Sequence, residues 1–529
     1  MNELLPQLLS FPPHPPPLHP ISDFEYDKQI RCLVQLLNKQ PASLLISGVR
    51  GGGDLLDILD PSINSLPYLF TLLAHVQAAQ DRRGGLPGQE AIPIYPLGPL
   101  WGKIVEFLTR FDSRQVRYAG TEWRRLVELV EKIARSINKP IVAVIPIRSA
   151  ILQLDPASST LTSNHVLFAR LCLDAKTFRH ALPILERDIQ EFPSVSKPVN
   201  SLPASVSQFS SSYIHAASGL TDKLTYRHHL EYHLFGALIY LGLKKWERGL
   251  EFLTFVIAAP TSGPASAIQV EAYKKWVLVG LLHHGGPMPL PRIANNGALK
   301  SYRELARAYD NFAEVFKSGN ATRLREEFEV GEELWKNEKN YGLMLLVLDA
   351  FHRFNIRHLE DTYSTLSVHD ICQRDFIALD TTSQNKPSLP QAHADETATE
   401  QYILGMIERG ELSATLSHPP QAEEQRSLAM VHFLPGSHGV SEVEQLRKAE
   451  EQVECTVAIT EQIKNLDRKL GLSKEYIAWM HKNKKTAQQL GSSLGTLGPK
   501  QDGGDDLEAM DIGWEAGIID EDMMEDFEP

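Results

Sequence analysis

Two stretches of this 529-residue chain obey one spacing rule, and that rule narrows the fold more than any other feature. In residues 167–193 (LFARLCLDAKTFRHALPILERDIQEFP), Ala169 and Ala181 stand 12 apart, and Pro193 follows 24 after Ala169. In residues 234–260 (LFGALIYLGLKKWERGLEFLTFVIAAP), Ala237 and Gly249 repeat the 12-residue step, and Pro260 comes 23 after Ala237. Small residues on two antiparallel helices let the backbones approach, and a proline ends the second helix. The pattern is tetratricopeptide-like, with a period of about 34 residues. Ala169 and Ala237 are 68 residues apart, two such periods, with a loop over 194–212 filling much of the interval.

The rest of the chain reads as helix after helix. The spacing predicts helices over 23–39, 66–80, 100–111 and 121–138 behind a proline-rich lead-in, and over 302–316, 323–337 and 341–357 further on. Ser367 is placed to cap a helix over 368–376, and Gly410 to close one over 397–409. Short apolar runs at 412–417 and 428–434 flank a polar stretch and predict a hairpin. Three helices followed by a hairpin is the winged-helix order, with a core expected from Leu343, Leu346, Ile371, Ile403 and Ile407. A helix over 441–470 then carries an apolar stripe including Leu446, Val453, Val457, Ile463 and Leu466 at steps of three, four or their multiples. Gly471 ends it, and a short helix over 473–479 follows.

The fold class is therefore mostly α: tetratricopeptide-like helical repeats, a winged-helix domain and a C-terminal helix. The expected divisions are a disordered lead-in (1–22), N-terminal repeats (23–226), a module with a helical part (227–340) and a winged helix (341–437), C-terminal helices (438–488), and a disordered acidic tail (489–529).

Charge is concentrated at one end. The net charge is −13, but residues 501–529 hold twelve acidic side chains and no Lys or Arg, leaving −1 for everything else. A body this close to neutral has no general field to hold nucleic acid, so partners are expected to be recognised by shape and apolar contact. The approach to the third winged-helix helix carries Asp395, Glu396, Glu400, Glu408 and Glu411 against Arg409, which repels phosphate. No apolar run nears the ~18 residues of a membrane span, and the start lacks a basic region ahead of an apolar one, so no membrane contact and no secretory signal are expected. Four well-separated cysteines without a CxxC pattern point to a reduced, intracellular setting.

Catalytic patterns are tested and not found. SGVRGGGD at 47–54 lacks the Lys-[Ser/Thr] of a phosphate loop and reads as a flexible turn. His229 and His233 share a helix face, but Leu230 stands where a zincin needs its glutamate, so they read as packing histidines. Cys172 and Cys372 fall on apolar helix faces and read as inert thiols. No catalytic residue, metal site or cofactor is expected.

Several stretches carry a resemblance. These are PIRSAI (146–151), LDP (154–156), LTSNH (161–165) and FARLCLDAKTFRHALP (168–183); then 232–260, EAYKKWVLVGLL (271–282) and ILGMIERGELSA (403–414). Together they resemble the PCI-domain family, the shared scaffold proteins of the proteasome lid, the translation initiation factor complex and the COP-nine signalosome. The similarity is greatest to the signalosome's third-subunit family and spans roughly 126–480. It implies a non-catalytic scaffold within an assembly that removes Nedd8 from cullin–RING ubiquitin ligases, hydrolysis belonging to a metal-binding subunit. It also implies, as partners, other PCI and metalloprotease-type subunits, with cullin–RING ligases reached indirectly, and a location in cytoplasm and nucleus. Such subunits join through winged-helix edges and a bundle of terminal helices. The interface residues implied here are Met430, His432 and Phe433 on the hairpin, and Leu446, Val453, Val457, Ile463 and Leu466 on the stripe. A proteasome-lid scaffold and a winged-helix nucleic-acid adaptor are the alternatives.

Overall fold

The computed structural model describes residues 4–12, 22–46, 54–81, 96, 98–193, 210–261, 264–291, 295–373, 396–418, 429–434, 442–471 and 476–482. They fall into two compact units, Met1–Leu434 and Pro435–Pro529.

The first unit is a helical array that ends in a winged helix. Asp23–Lys39 starts where Ser22 Oγ accepts the Glu25 amide, and it buries Tyr26, Ile30, Leu33 and Leu37 at helical spacing. Ser65–Asp81, Pro99–Arg110, Gly120–Ser136 and Ile141–Leu154 follow. The lead-in departs from expectation. Leu4–Leu9 is a short helix, Leu8 is fully buried, and the Phe11 ring meets Tyr26 at 4.9 Å. Leu8 and Phe11, with Leu5 packed beside them, join residues 4–12 to the main core.

The helix pair predicted over 234–260 forms as Tyr226–Gly242 and Trp246–Ala258. Gly249 lies against Leu241, and Gly236 lets the other helix in: a β-carbon there would stand 2.6 Å from the Phe252 ring. The pair predicted over 167–193 is truncated. Ser163–Asp174 is followed only by a 3-10 turn, Phe178–Ala181, and the single turn Leu182–Leu185. Past that turn, the Gln190 and Glu191 amides bond to Ser159 O, and the Leu161 amide bonds to Glu191 O. The chain is held extended where a second helix would have continued.

The helices Ala267–His284, Asn296–Leu305, Arg307–Lys317, Ala321–Val330 and Glu332–Asn337 complete the array. The stretches expected as single helices over 302–316 and 323–337 are broken, at Ala306 and at Gly331. Gly331 is required by its neighbour, because a β-carbon would lie 2.4 Å from the Trp335 indole, itself bonded to Phe328 O.

The winged helix is built from Tyr341–Glu360, β1 (Thr365–Ser367), Val368–Gln373, Glu396–Glu408, β2 (Ala414–Ser417) and β3 (Met430–Phe433). β3 pairs antiparallel with both other strands, giving the order β1-β3-β2. β1 lies where the sequence indicated only a helix cap. Ser367 does both jobs: it pairs with Met430, and its Oγ accepts the Asp370 amide at 3.0 Å.

Two hydrophobic cores result. The large one runs through the array, and the small one gathers Leu366, Val368, Ile371, Ile403, Met406, Val431 and Phe433, with Ile407 packed against it. Leu343 and Leu346, expected in the winged-helix core, pack on the array instead. Tyr341–Glu360 explains why. It places Met344, Val347, Ala350 and Phe351 in the first core, and Ile356 and Leu359 in the second.

The second unit contains the 30-residue helix Glu442–Gly471 and a helical stretch over 476–482. The glycine cluster at 47–53, the polar stretch 381–395 and the acidic tail lie outside the described residues.

Candidate protein interfaces

The sheet of the winged helix sorts its residues by alternation. In β3, Val431 and Phe433 are buried, while Met430 and His432 face outward and are partly exposed. Phe433, a candidate contact from the sequence, is therefore a core residue, only 5% exposed. His432 Nε2 lies 2.8 Å from Ser417 Oγ, across from Thr365 and Thr415. β3 is the central strand. Among the described residues, the outer edges of the sheet belong to β1 (Thr365–Ser367) and β2 (Ala414–Ser417), while Met430 and His432 lie on its outward face.

The long helix supplies a second surface. Leu446, Val453, Val457 and Ile463 are 58%, 62%, 56% and 54% exposed, and Leu466 lies further along the same helix. Ile459 and Leu470 are exposed too, as are Ile477, Trp479 and Met480 beyond. A mostly polar helix with this many bare branched side chains leaves apolar area that burial would stabilise by about 25 cal/mol per Å2.

The other residues weighed for chemistry sit in packed surroundings. His233 is buried among Tyr232, Phe252 and Phe255, with Nδ1 3.0 Å from His229 O, and burial pushes its pKa down to about 4. His229 meets Phe192 edge-on at 5.3 Å. Burial pushes the Cys172 thiol up to about 12, and the Cys372 thiol donates to Thr399 Oγ1 at 3.0 Å. Among the described residues, no group of three or more His, Cys, Asp or Glu could hold a metal ion, and no helix is long and apolar enough to cross a membrane. On the third winged-helix helix, Glu396 and Glu400 hold His369 and His418 in pairs at 2.6 and 3.1 Å.

Two buried polar clusters explain motifs whose role the sequence did not reveal. At LDP and LTSNH, Thr160 Oγ1 lies 2.9 Å from Ser210 Oγ, Tyr213 donates to Leu154 O, Asn164 donates to Leu220 O, and His165 Nδ1 lies 2.7 Å from Thr162 Oγ1. They tie residues 210–220 back to the array. At EAYKK, Lys275 donates to Glu271 and, at 2.7 Å, to Asn340 Oδ1; the Asn340 amide donates to the Tyr309 hydroxyl, which donates to Glu338. Lys274 pairs with the same Glu338. Two adjacent lysines inside an apolar helix are the one signal that could have revealed this cluster, since buried charges need partners.

These features define a helical-repeat protein closed by a winged helix. The family profile described as "COP9 signalosome complex subunit 3, N-terminal helical repeats" matches residues 27–296. A protein of Emericella nidulans described as COP9 signalosome complex subunit 3 is 33% identical over 515 residues, 96% of this chain and 98% of its own. Proteins so described from Neurospora crassa and Dictyostelium discoideum are 30% and 28% identical, covering 80% and 72% of this chain and 81% and 80% of their own. The chain belongs to the COP9 signalosome complex subunit 3 family.

Proposed function

We propose that this chain is a non-catalytic scaffold of a COP9 signalosome, an assembly that removes Nedd8 from cullin–RING ligases. Hydrolysis falls to a metalloprotease-type sister subunit, and this chain meets the ligases indirectly, in cytoplasm and nucleus. It joins PCI-type sisters through a β1 or β2 edge of its winged helix, and terminal helices through its apolar stripe. The observation that carries the reading is that stripe: Leu446, Val453, Val457 and Ile463 are each more than half exposed on one helix. Burying a valine side chain is worth about 1.5–3 kcal/mol, so covering several would hold a subunit in place.

The test is co-expression of the full chain with its sister subunits, followed by sizing chromatography and mass spectrometry. Val453→Asp with Val457→Asp should leave the isolated chain as stable as before and lower its recovery in the assembly at least ~10-fold. Unchanged co-migration of that variant would remove the stripe from the interface.

A further inference from the structure

A cleft where the array meets the winged helix holds charges that neither the sheet edges nor the stripe uses. It encloses about 630 Å3, between the Lys244–Trp246 turn, Asp349 and Arg353 on Tyr341–Glu360, and Tyr402, Arg409 and Glu411 at the third helix. Its two carboxylates are engaged. Asp349 Oδ1 accepts from the Tyr402 hydroxyl at 3.1 Å. Glu411 is divided between two guanidiniums, 3.5 Å from Arg353 and 3.3 Å from Arg409. Each guanidinium has five N–H donors, and a strong charge-assisted bond is about 2.7–2.9 Å, so among the described residues these long contacts leave most donors unspent. Arg409 is 55% exposed and can turn toward a ligand. Lys244 lines the same wall and forms no ion pair among the described residues. Trp246, Leu282 and Leu346 give an apolar side.

We propose that this cleft docks an acidic linear segment of a partner protein. Its carboxylates pair with Arg353, Arg409 and Lys244, and an apolar side chain lies against Trp246. Charge complementarity carries the proposal: three cations stand against two carboxylates that are already bonded. The proposal is independent of the scaffold reading, since it uses neither the stripe nor a strand edge.

The experiment is fluorescence anisotropy with the full chain and a fluorescein-labelled peptide alternating glutamate with leucine. Saturable binding that weakens with added salt is expected, with a shift in tryptophan emission lost in Trp246→Phe. Arg353→Gln with Arg409→Gln should weaken binding ~10-fold or more. Lys244→Gln should weaken it several-fold without moving the denaturation midpoint, and it decides the matter if the arginine variant folds poorly. Equal binding by all variants, equal affinity for the glutamine-for-glutamate peptide, or displacement of the peptide by single-stranded RNA or inorganic phosphate at matched ionic strength would each overturn the proposal.

Discussion

Replacing Lys275 with methionine isolates the contribution of one buried hydrogen bond. Lys275 is 7% exposed, and Asn340, whose Oδ1 accepts from it at 2.7 Å, is fully buried. Methionine keeps the bulk of the side chain but offers no donor, so an acceptor is stranded inside the protein at a cost of about 1–3 kcal/mol. Glu271 also loses its partner, but its side chain is 34% exposed and rehydrates, so that ion pair adds little. Asn340→Leu strands the other end: Lys275 loses one acceptor and the Tyr309 hydroxyl loses the donor at 2.8 Å, for a similar ~1–3 kcal/mol. Removing both ends together should cost less than the two separate losses by about 1–2 kcal/mol. Urea denaturation of the full chain and the two single and one double variants, followed by far-ultraviolet circular dichroism, gives the four free energies. Additivity within ~0.3 kcal/mol would show that the bond contributes nothing and would refute the reasoning.

Other outcomes follow from the same packing. Gly236→Ala should destabilise by ~1–3 kcal/mol, because the Phe252 ring cannot retreat, whereas Gly102→Ala on the exposed face of its helix meets nothing within 4 Å and should stabilise by ~0.5–1 kcal/mol; paired melts check the opposite signs. Alkylation of the native protein at neutral pH should modify the exposed Cys32 and Cys455 and spare Cys172 and Cys372, as read by peptide mass spectrometry; early labelling of Cys172 would contradict its burial. His165, His233 and His352 are each pushed down to about 4 by burial. They stay neutral when folded while the unfolded chain takes up protons below about 6.5. Stability from these three is therefore present above pH 6.5 and lost as the pH falls toward 4, at up to ~1.4 kcal/mol per unit for each histidine. His165→Gln should flatten that slope in pH-dependent urea midpoints; an unchanged slope would count against it.

Legibility varied with how local the deciding physics was. The start of Asp23–Lys39 was readable because a serine cap and a helical apolar period sit in the same few residues. The helix-and-hairpin order of the winged helix was readable for the same reason. β1 was not: three residues are too few to show alternation, and Ser367 belongs to a strand and a cap at once. The breaks at Ala306 and Gly331 were invisible because periodicity continues across them; only the packed Trp335 reveals why one is needed. The truncated first pair depended on a bridge between Thr160 and Glu191, 31 positions apart. At the interfaces, the stripe was legible as a pattern, and four of its named residues are exposed as a surface contact requires. Phe433 misled because hairpin residues alternate faces, and the sequence does not say which face is covered.

The helix Tyr341–Glu360 serves two cores at once, Met344 to Phe351 on one side and Ile356 with Leu359 on the other. Each residue of a helix turns the next by about 100°. Inserting or deleting a single residue near Arg353 would swing one half out of register, leaving one of the two cores unable to close. A surface loop can lengthen at small entropic expense. This helix has no such freedom, so its length is the ruler against which the two halves of the molecule must be inherited together.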